Sequence, residues 1–234
     1  IDKIQEELIS SILKKRIKSE PLAYILNEWD FYGETFYLDK NSLIPRQDTE
    51  LLIDLVLKRY DKGSKLNILD LGTGSGVIGI TLSKLYPNSM ITISDISSKA
   101  LNVANKNIKN HNVTNIRSLE SDWFNSFKEK ELFDLILTNP PYISKDDDHL
   151  NNLELGYEPS NALVASKNGF ADIFKIIDTS PRFLNSEGLL MIEHGHTQGN
   201  RVKNYFQQKS FNNIKQHRDI NQKIRVTSAS KIKI

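Results

Sequence analysis

Asn139-Pro140-Pro141-Tyr142 is the stretch of this chain best equipped to do chemistry. A proline restricts the residue before it to extended backbone, so Asn139 and Pro140 are both held stiffly. Neither proline carries an N–H donor. What remains is a rigid pair of acceptors, the Asn139 side-chain carbonyl and the Pro140 main-chain carbonyl, with the flat ring of Tyr142 beside them. Such a pair suits a planar –NH2 group, because it can bond both hydrogens at once. An amide or amino nitrogen conjugated to a π-system is a poor nucleophile. Two fixed acceptors orient it toward an electrophile and stabilise the positive charge that develops as it attacks. The competing reading is an ordinary turn, since Pro-Pro is a common chain breaker.

A second constellation lies upstream, at Asp70-Leu71-Gly72-Thr73-Gly74-Ser75-Gly76. It follows an apolar strand pattern and opens a helix pattern. Glycines there permit a tight turn and close approach of a ligand to the backbone. The free N–H groups of the helix start favour an anionic group. Asp95, about twenty positions beyond the last loop glycine, ends the next strand pattern. A carboxylate so placed can accept from both hydroxyls of a ribose. Three readings compete for the loop. It is a structural turn, or a dinucleotide site, because Gly74–Gly79 matches G-x-G-x-x-G, a weak signal alone. Or it is the adenosylmethionine loop of methyltransferases, which it resembles more, with G-x-G-x-G and an acid at the strand end.

The elements that must position these residues are legible as alternating patterns. Residues 2–18 carry Ile4, Leu8, Ile9, Ile12, Leu13 and Ile17 at helical spacing, ending before Pro21. Aromatics around Gly33 predict a hairpin over Trp29–Leu38, with Trp29 and Phe31 as its core. Asp48 and Thr49 look like start residues for a helix Leu51–Tyr60. Strand patterns follow at Ile68–Leu71, Met90–Asp95, Ile116–Ser121, Phe133–Thr138, Gly188–Glu193, Asn212–His217 and Arg225–Ala229. Between them helices are predicted at Val77–Leu85, Ser98–Lys109, Gly169–Leu184 and Asn200–Lys209. Alternation of this kind means a parallel sheet covered on both faces. The last two strands have no room for a crossover, so they pair antiparallel. The expectation is an α/β fold: a doubly wound, seven-stranded, mostly parallel sheet with a reversed last strand, preceded by a helix and a β-hairpin. In such a sheet ligands bind at the carboxyl ends of the strands, which puts the tetrad beside the glycine loop.

Composition narrows the classes. The 234 residues are 38% hydrophobic and 26% charged, which fits a folded domain with a sizeable core. No apolar run approaches the ~18 residues a membrane helix needs. The formal net charge of +2 lacks the basic excess of a dedicated nucleic-acid binder. With no cysteine, a disulfide scaffold, a thiol nucleophile and a thiolate metal site are all excluded. This fits a cytoplasmic protein. The chain opens on Ile1 rather than Met, which reads as a trimmed or partial chain.

Taken together, these motifs resemble the release-factor glutamine methyltransferases. The resemblance runs over nearly the whole chain. It includes Glu20–Leu26, Phe31–Phe36, Leu43-Ile44-Pro45-Arg46, Asp48-Thr49-Glu50, the glycine loop, Asp122-Trp123 and the tetrad. It continues through Tyr157-Glu158-Pro159, Ala162-Leu163, Ile192-Glu193-His194-Gly195 and Gln198. The resemblance implies a class I methyltransferase fold and transfer of a methyl group from S-adenosylmethionine to a glutamine side-chain amide, that of the Gly-Gly-Gln tip of a class 1 peptide-chain release factor. By this likeness Gly72, Thr73, Gly74, Ser75 and Gly76 line the cofactor, Asp95 holds its ribose, Asp122 meets the adenine amino group and Trp123 borders the adenine. Asn139, Pro140, Pro141 and Tyr142 hold the glutamine; Asn139 also touches the cofactor, and Asn139, Pro140 and Tyr142 are the catalytic group. No metal is required. The implied layout is a remnant of a helical substrate-recognition domain at 1–26, a hairpin linker at 27–45 and the methyltransferase domain at 46–234. A monomer is expected, acting in a bacterial cytoplasm or an organelle, with no membrane or nucleic acid as partner.

Other residues are weighed against plain alternatives. Arg46 and Glu50 border the substrate pocket or form a helix-start ion pair, with equal weight. The family usually has proline at Gln47 and often arginine at Gly156. The five histidines show no metal-ligand clustering beyond His194 and His196, and for those two a surface or supporting role is expected rather than a metal. Asp146–Asp148 read as a solvated acidic run, and the tail Lys231–Ile234 as frayed. Three rival readings stay open: an adenine-directed nucleic-acid methyltransferase sharing the tetrad, a ribosomal-protein glutamine methyltransferase, and a binding module without turnover. The module also resembles the front half of a fusion with a tRNA guanine methyltransferase.

Overall fold

The computed structural model describes residues 2–209 and 211–233. Ile1 and Ile234, on which two of the expectations above rest, lie outside them.

A helix at Lys3–Ile17 comes first, closed by a capping box between Asp2 and Gln5. None of its residues is buried, and Ile4, Leu8 and Ile17 stand 60% or more exposed. Most of its apolar face is therefore open to solvent, with Ile12 alone among its isoleucines and leucines partly buried. A short helix at Leu22–Leu26, not anticipated, leads into the hairpin of β1 (Glu28–Phe31) and β2 (Glu34–Tyr37). Phe31 and Phe36 are buried in the main core, whereas Trp29 is 39% exposed. Trp29 instead donates its indole N–H to the Pro45 carbonyl at 3.1 Å, so it is not hairpin core.

The main sheet contains β3 (Asn67–Leu71), β4 (Met90–Asp95), β5 (Ile116–Glu120), β6 (Phe133–Thr138), β7 (Leu184–Glu193), β8 (Phe211–Arg218) and β9 (Ile224–Lys231). Their order across the sheet is β5-β4-β3-β6-β7-β9-β8. Only β9 runs against its neighbours. The predicted seven-stranded sheet with a reversed last strand is thus the observed one. The near-continuous burial of Ile68–Leu71 and Leu135–Thr138 is what a strand covered on both faces requires. Two core clusters, one on each face, hold Ile68, Leu82, Ile93 and Leu135 on one side and Leu69, Ile136, Ile176 and Leu190 on the other.

Several boundaries shift. The expected helix Gly169–Leu184 is a helix at Ala171–Thr179 followed by a single turn at Ser180–Arg182. Pro181 and the need to enter β7 at Leu184 end it early. Lys231 is no frayed tail residue: it closes β9 and its ammonium donates to the Leu184 carbonyl at 2.9 Å.

The chain winds outward from β3 to β5, then returns to β6 on the other side of β3. That reversal opens a crevice at the carboxyl ends of β3 and β6. Leu71 leads there into the glycine loop and Thr138 into the tetrad, and the Thr138 hydroxyl bonds the Leu71 carbonyl at 2.6 Å.

Candidate active site

The glycine loop is pinned to β4. The N–H groups of Gly72 and Thr73 both donate to the Ser94 carbonyl at 2.8 Å. Gly76 has φ +88, and a Cβ there would come within 3.1 Å of the Ala104 side chain. Only glycine combines that backbone with that close helix contact. Asp70 sits beneath the loop, wholly buried. Its Oδ2 accepts from the Thr73 hydroxyl at 2.5 Å and from the Gly79 N–H at 2.9 Å, while Oδ1 has no partner. Burial raises its pKa to about 6 against the pull of those two donors. Asp70 is therefore a brace for the loop rather than a ligand group.

Asp95 closes the loop from the β4 side. Its two carboxylate oxygens accept from the N–H groups of Gly74 and Ser97, each at 2.9 Å. Burial raises its pKa, and these backbone donors work the other way. Trp123 lays its indole 3.2 Å from where a Gly72 Cβ would stand, and its N–H bonds Asp172 at 3.1 Å. Asp122 bonds the Lys175 ammonium at 2.9 Å. Gly72–Ser75, Asp95, Asp122, Trp123 and Asn139 line one cavity of about 300 Å³. The expected cofactor residues are thereby brought together, with Gly76 just behind as the turn into the helix Val77–Leu85. A strand-end carboxylate, glycines that let a ligand approach the loop closely and an indole wall make a cavity that suits an adenine nucleoside.

The tetrad divides this cavity from a second of about 690 Å³. Pro141 faces the first, Pro140 and Tyr142 line the second, and Asn139 borders both. Arg46 also lines the second cavity. It pairs with Glu158 at 2.5 Å rather than with Glu50, and Glu158 also accepts from the Ile44 N–H at 3.0 Å. Glu50 is in neither cavity: its carboxylate accepts from the Tyr32 N–H at 2.9 Å and braces the hairpin turn. The substrate role expected for Glu50 is corrected accordingly.

Thr49, Glu193 and Gln198, for which the sequence offers no site contact, complete the site. Thr49 accepts from the Asn139 side-chain nitrogen at 3.1 Å, so the carboxamide oxygen is the end left to face the cavities. Thr49 does not cap the helix Glu50–Arg59 that it precedes. Glu193, at the end of β7, is wholly buried and accepts from the Tyr142 hydroxyl at 3.4 Å. Burial lifts Glu193 to about 7 and drives the Tyr142 hydroxyl well above its usual value. Gln198 donates to the Tyr142 carbonyl at 2.9 Å. Each stands in a sequence block that resembles the family, but nothing local to the block says what its side chain meets. His194 is buried, bonds Thr227 at 2.8 Å and is pushed down to about 4, so it is neutral. His196 lines the second cavity, and no cluster able to hold a metal occurs among the described residues. At Gly156 a Cβ would meet nothing, so a larger side chain there has room.

Fold and site together define a methyltransferase of the class I type. Residues 47–155 match the family described as Methyltransferase small domain. The structure of the 16S rRNA N2 G1207 methyltransferase of T. thermophilus, solved with AdoMet and guanosine, superposes with a TM-score of 0.65. It is 16% identical and covers 87% of this chain and 49% of that one, a likeness of fold. The chain is 39% identical over 230 residues to the release factor glutamine methyltransferase of Francisella tularensis, covering 98% of this chain and 81% of that protein. Against the namesake from Haemophilus influenzae it is 37% identical, covering 94% and 78%. The chain belongs to the release factor glutamine methyltransferase family. A bifunctional methyltransferase of Rickettsia bellii is 35% identical, with all of this chain matching 47% of that protein.

Proposed function

We propose that this chain methylates the side-chain amide of the Gly-Gly-Gln glutamine in a class 1 peptide-chain release factor, acting in the cytoplasm with S-adenosylmethionine as donor. The observation that carries the reading is the position of Asn139. It is the one tetrad residue bordering both cavities, with its carboxamide nitrogen already committed to Thr49.

When bound in the first cavity, S-adenosylmethionine supplies a sulfonium methyl group. Gly72–Ser75 would lie close against it, Asp95 would take the ribose hydroxyls, and Trp123 would wall the adenine. The Asn139 oxygen and the Pro140 carbonyl take the two hydrogens of the substrate amide from the second cavity. They aim its nitrogen lone pair through the partition. As the N–C bond forms, the C–S bond breaks and its electron pair stays on sulfur. The nitrogen sheds one proton to water. The two acceptors stabilise the positive charge on the way. Tyr142 walls the second cavity, and Arg46 holds the overlying segment through Glu158.

The deciding assay offers labelled S-adenosylmethionine with three acceptors: a release factor, the same factor with its Gly-Gly-Gln glutamine replaced, and duplex DNA. We expect label in the unaltered release factor alone. Label in DNA would transfer the reading to an adenine amino group. Cofactor binding without label anywhere would remove the proposed substrate.

A further inference from the structure

The second cavity carries more positive charge than the methyl transfer described above uses. Its wall holds four cations, Arg46, Arg201, Lys223 and Arg225, against one carboxylate, that of Asp147. Two of the four are neutralised within the chain: Arg46 by Glu158, and Arg225 by Asp48 at 3.0 Å and Asp219 at 3.1 Å. Asp147 is committed as well, to His149 at 2.6 Å. Arg201 and Lys223 enter no ion pair among the described residues. Arg201 is held without a counter-charge: its guanidinium lies over the Phe170 ring, 4.2 Å from the centroid, and 5.6 Å from that of Phe174. A guanidinium packed on a ring keeps its N–H edge for a planar two-oxygen acceptor. Arg201 also stands in the first turn of the helix Gly199–Gln207, where the helix dipole disfavours a cation and no acidic residue offsets it. Lys223 ends the turn between β8 and β9, which Asp219 closes by accepting from the Lys223 N–H at 2.8 Å. Neither residue lines the first cavity.

We propose that Arg201 and Lys223 are specificity residues of the substrate site: they bind the carboxylate of an aspartate or glutamate on the acceptor protein, close to the glutamine that is methylated. The topology puts both at one end of the sheet. β7 ends at Glu193 and leads into the helix that carries Arg201, and antiparallel β9, which Lys223 precedes, starts beside that end with Val226 opposite Glu193. The inference rests on the second cavity being where the acceptor amide enters. Because the two cations border that cavity and not the first, they act on acceptor binding rather than on the cofactor. Complementary charge there steers the encounter and rejects acceptors that carry a cation at the same place. A nucleic-acid backbone is the poorer match. It calls for a row of cations along a groove, whereas these two stand in one pocket of a chain with formal net charge +2.

The test compares the unaltered chain with R201A, K223A and R201A/K223A, with an intact class 1 release factor as the acceptor. Binding is measured first, by calorimetry at low and at moderate salt. The double variant should bind the factor about tenfold or more weakly and lose most of the salt dependence, with the Kd for S-adenosylmethionine unchanged. In turnover the loss should fall on KM and spare kcat. R201K keeps the charge and should recover most of what R201A loses. The acceptor side is mapped by replacing the factor's aspartates and glutamates near the glutamine, one at a time, with asparagine or glutamine. One such change should weaken binding to the unaltered chain and have no further effect on R201A/K223A. Equal affinity and equal salt dependence in all variants, a loss confined to kcat, or losses that simply add for every acidic residue replaced would overturn the proposal. So would variants that lose affinity for an RNA or DNA oligonucleotide and none for the factor. A chain that binds the factor in this charge-dependent way without methylating it would remove the proposed function and leave the role of Arg201 and Lys223 standing. A chain that binds no release factor would overturn both.

Discussion

A Cβ on Gly169 would stand 2.1 Å from the main-chain oxygen of Tyr142. Gly169 also has φ +82, so both its backbone and its surroundings demand glycine. The same oxygen accepts from Gln198, and together the two contacts clamp the end of the tetrad. We expect G169A to push the tetrad out of place and lower kcat by about tenfold or more, as misplacement of a catalytic group does. Affinity for S-adenosylmethionine should change little, because Gly169 is not part of the first cavity. Steady-state kinetics with calorimetric cofactor titration will decide; an unchanged kcat would remove the clamp from the account.

Asn139→Ala deletes the acceptor at the junction of the two cavities. The expected outcome is a kcat lower by about 10²–10³, the usual cost of losing one preorganised hydrogen-bonding group at a charge that develops in the transition state. Cofactor binding should survive. Single-turnover methyl transfer measures the first and equilibrium dialysis the second. Retained turnover would contradict the mechanism.

Asp95→Ala removes the carboxylate that binds the Gly74 and Ser97 amides and faces the cavity. Hydrogen bonds to a charged group are worth about 1.5–3 kcal/mol, so the Kd for S-adenosylmethionine should rise by about 10–150-fold. Release-factor affinity should be unaffected. Calorimetry on both ligands separates the two.

Arg46→Ala leaves the Glu158 carboxylate, 2% exposed as a side chain, without its guanidinium. Stranding a buried charge is costly, about 3–5 kcal/mol for a fully buried pair. Arg46 is 37% exposed, so we expect about 2 kcal/mol, concentrated in the segment from Ile143 to Gly169. Faster proteolysis of that segment, with partial recovery in R46A/E158Q, is the anticipated pattern. Equal proteolysis rates would show that the pair does not hold it.

Stability should fall with rising pH through a window that Asp70 helps to set. Its folded carboxyl titrates near 6, above the ordinary 3.8 of the unfolded chain. The folded state therefore holds this proton more tightly. That contribution is complete below about pH 3.8 and is lost as pH rises through about 6. The difference corresponds to roughly 3 kcal/mol. D70N lacks the titration, so its unfolding free energy between pH 4 and 7 should slope less steeply by about that amount. Urea unfolding at a series of pH values measures it, and parallel slopes would refute it.

The strands and the loop were readable because their signals are local. A buried parallel strand shows as an apolar run, and a loop that needs positive φ shows as glycine. The helix after Gly169 was read too long because its end is set by Pro181 and by where β7 must begin, not by its apolar spacing. Arg46 and Glu50 looked like partners because they are close in sequence. In space Arg46 meets Glu158 and Glu50 meets the Tyr32 amide. Trp29 and Phe31 share one face of a short strand, yet only Phe31 reaches the core, while Trp29 lies over the Pro45 carbonyl that it bonds, a partner sixteen positions away that the strand pattern does not show.

Backbone sterics and residue type over a few positions are enough to specify the sheet, the glycine loop with Asp95, and the stiff acceptor pair of the tetrad. Which way the Asn139 amide faces is set by a contact distant in the chain. That depends on Thr49, ninety positions upstream. Hydrogen bonds act over about 3 Å and carry no trace in the chain between their ends. Only the packing of the turn Gln47–Thr49 against the end of β6 brings the two groups within reach.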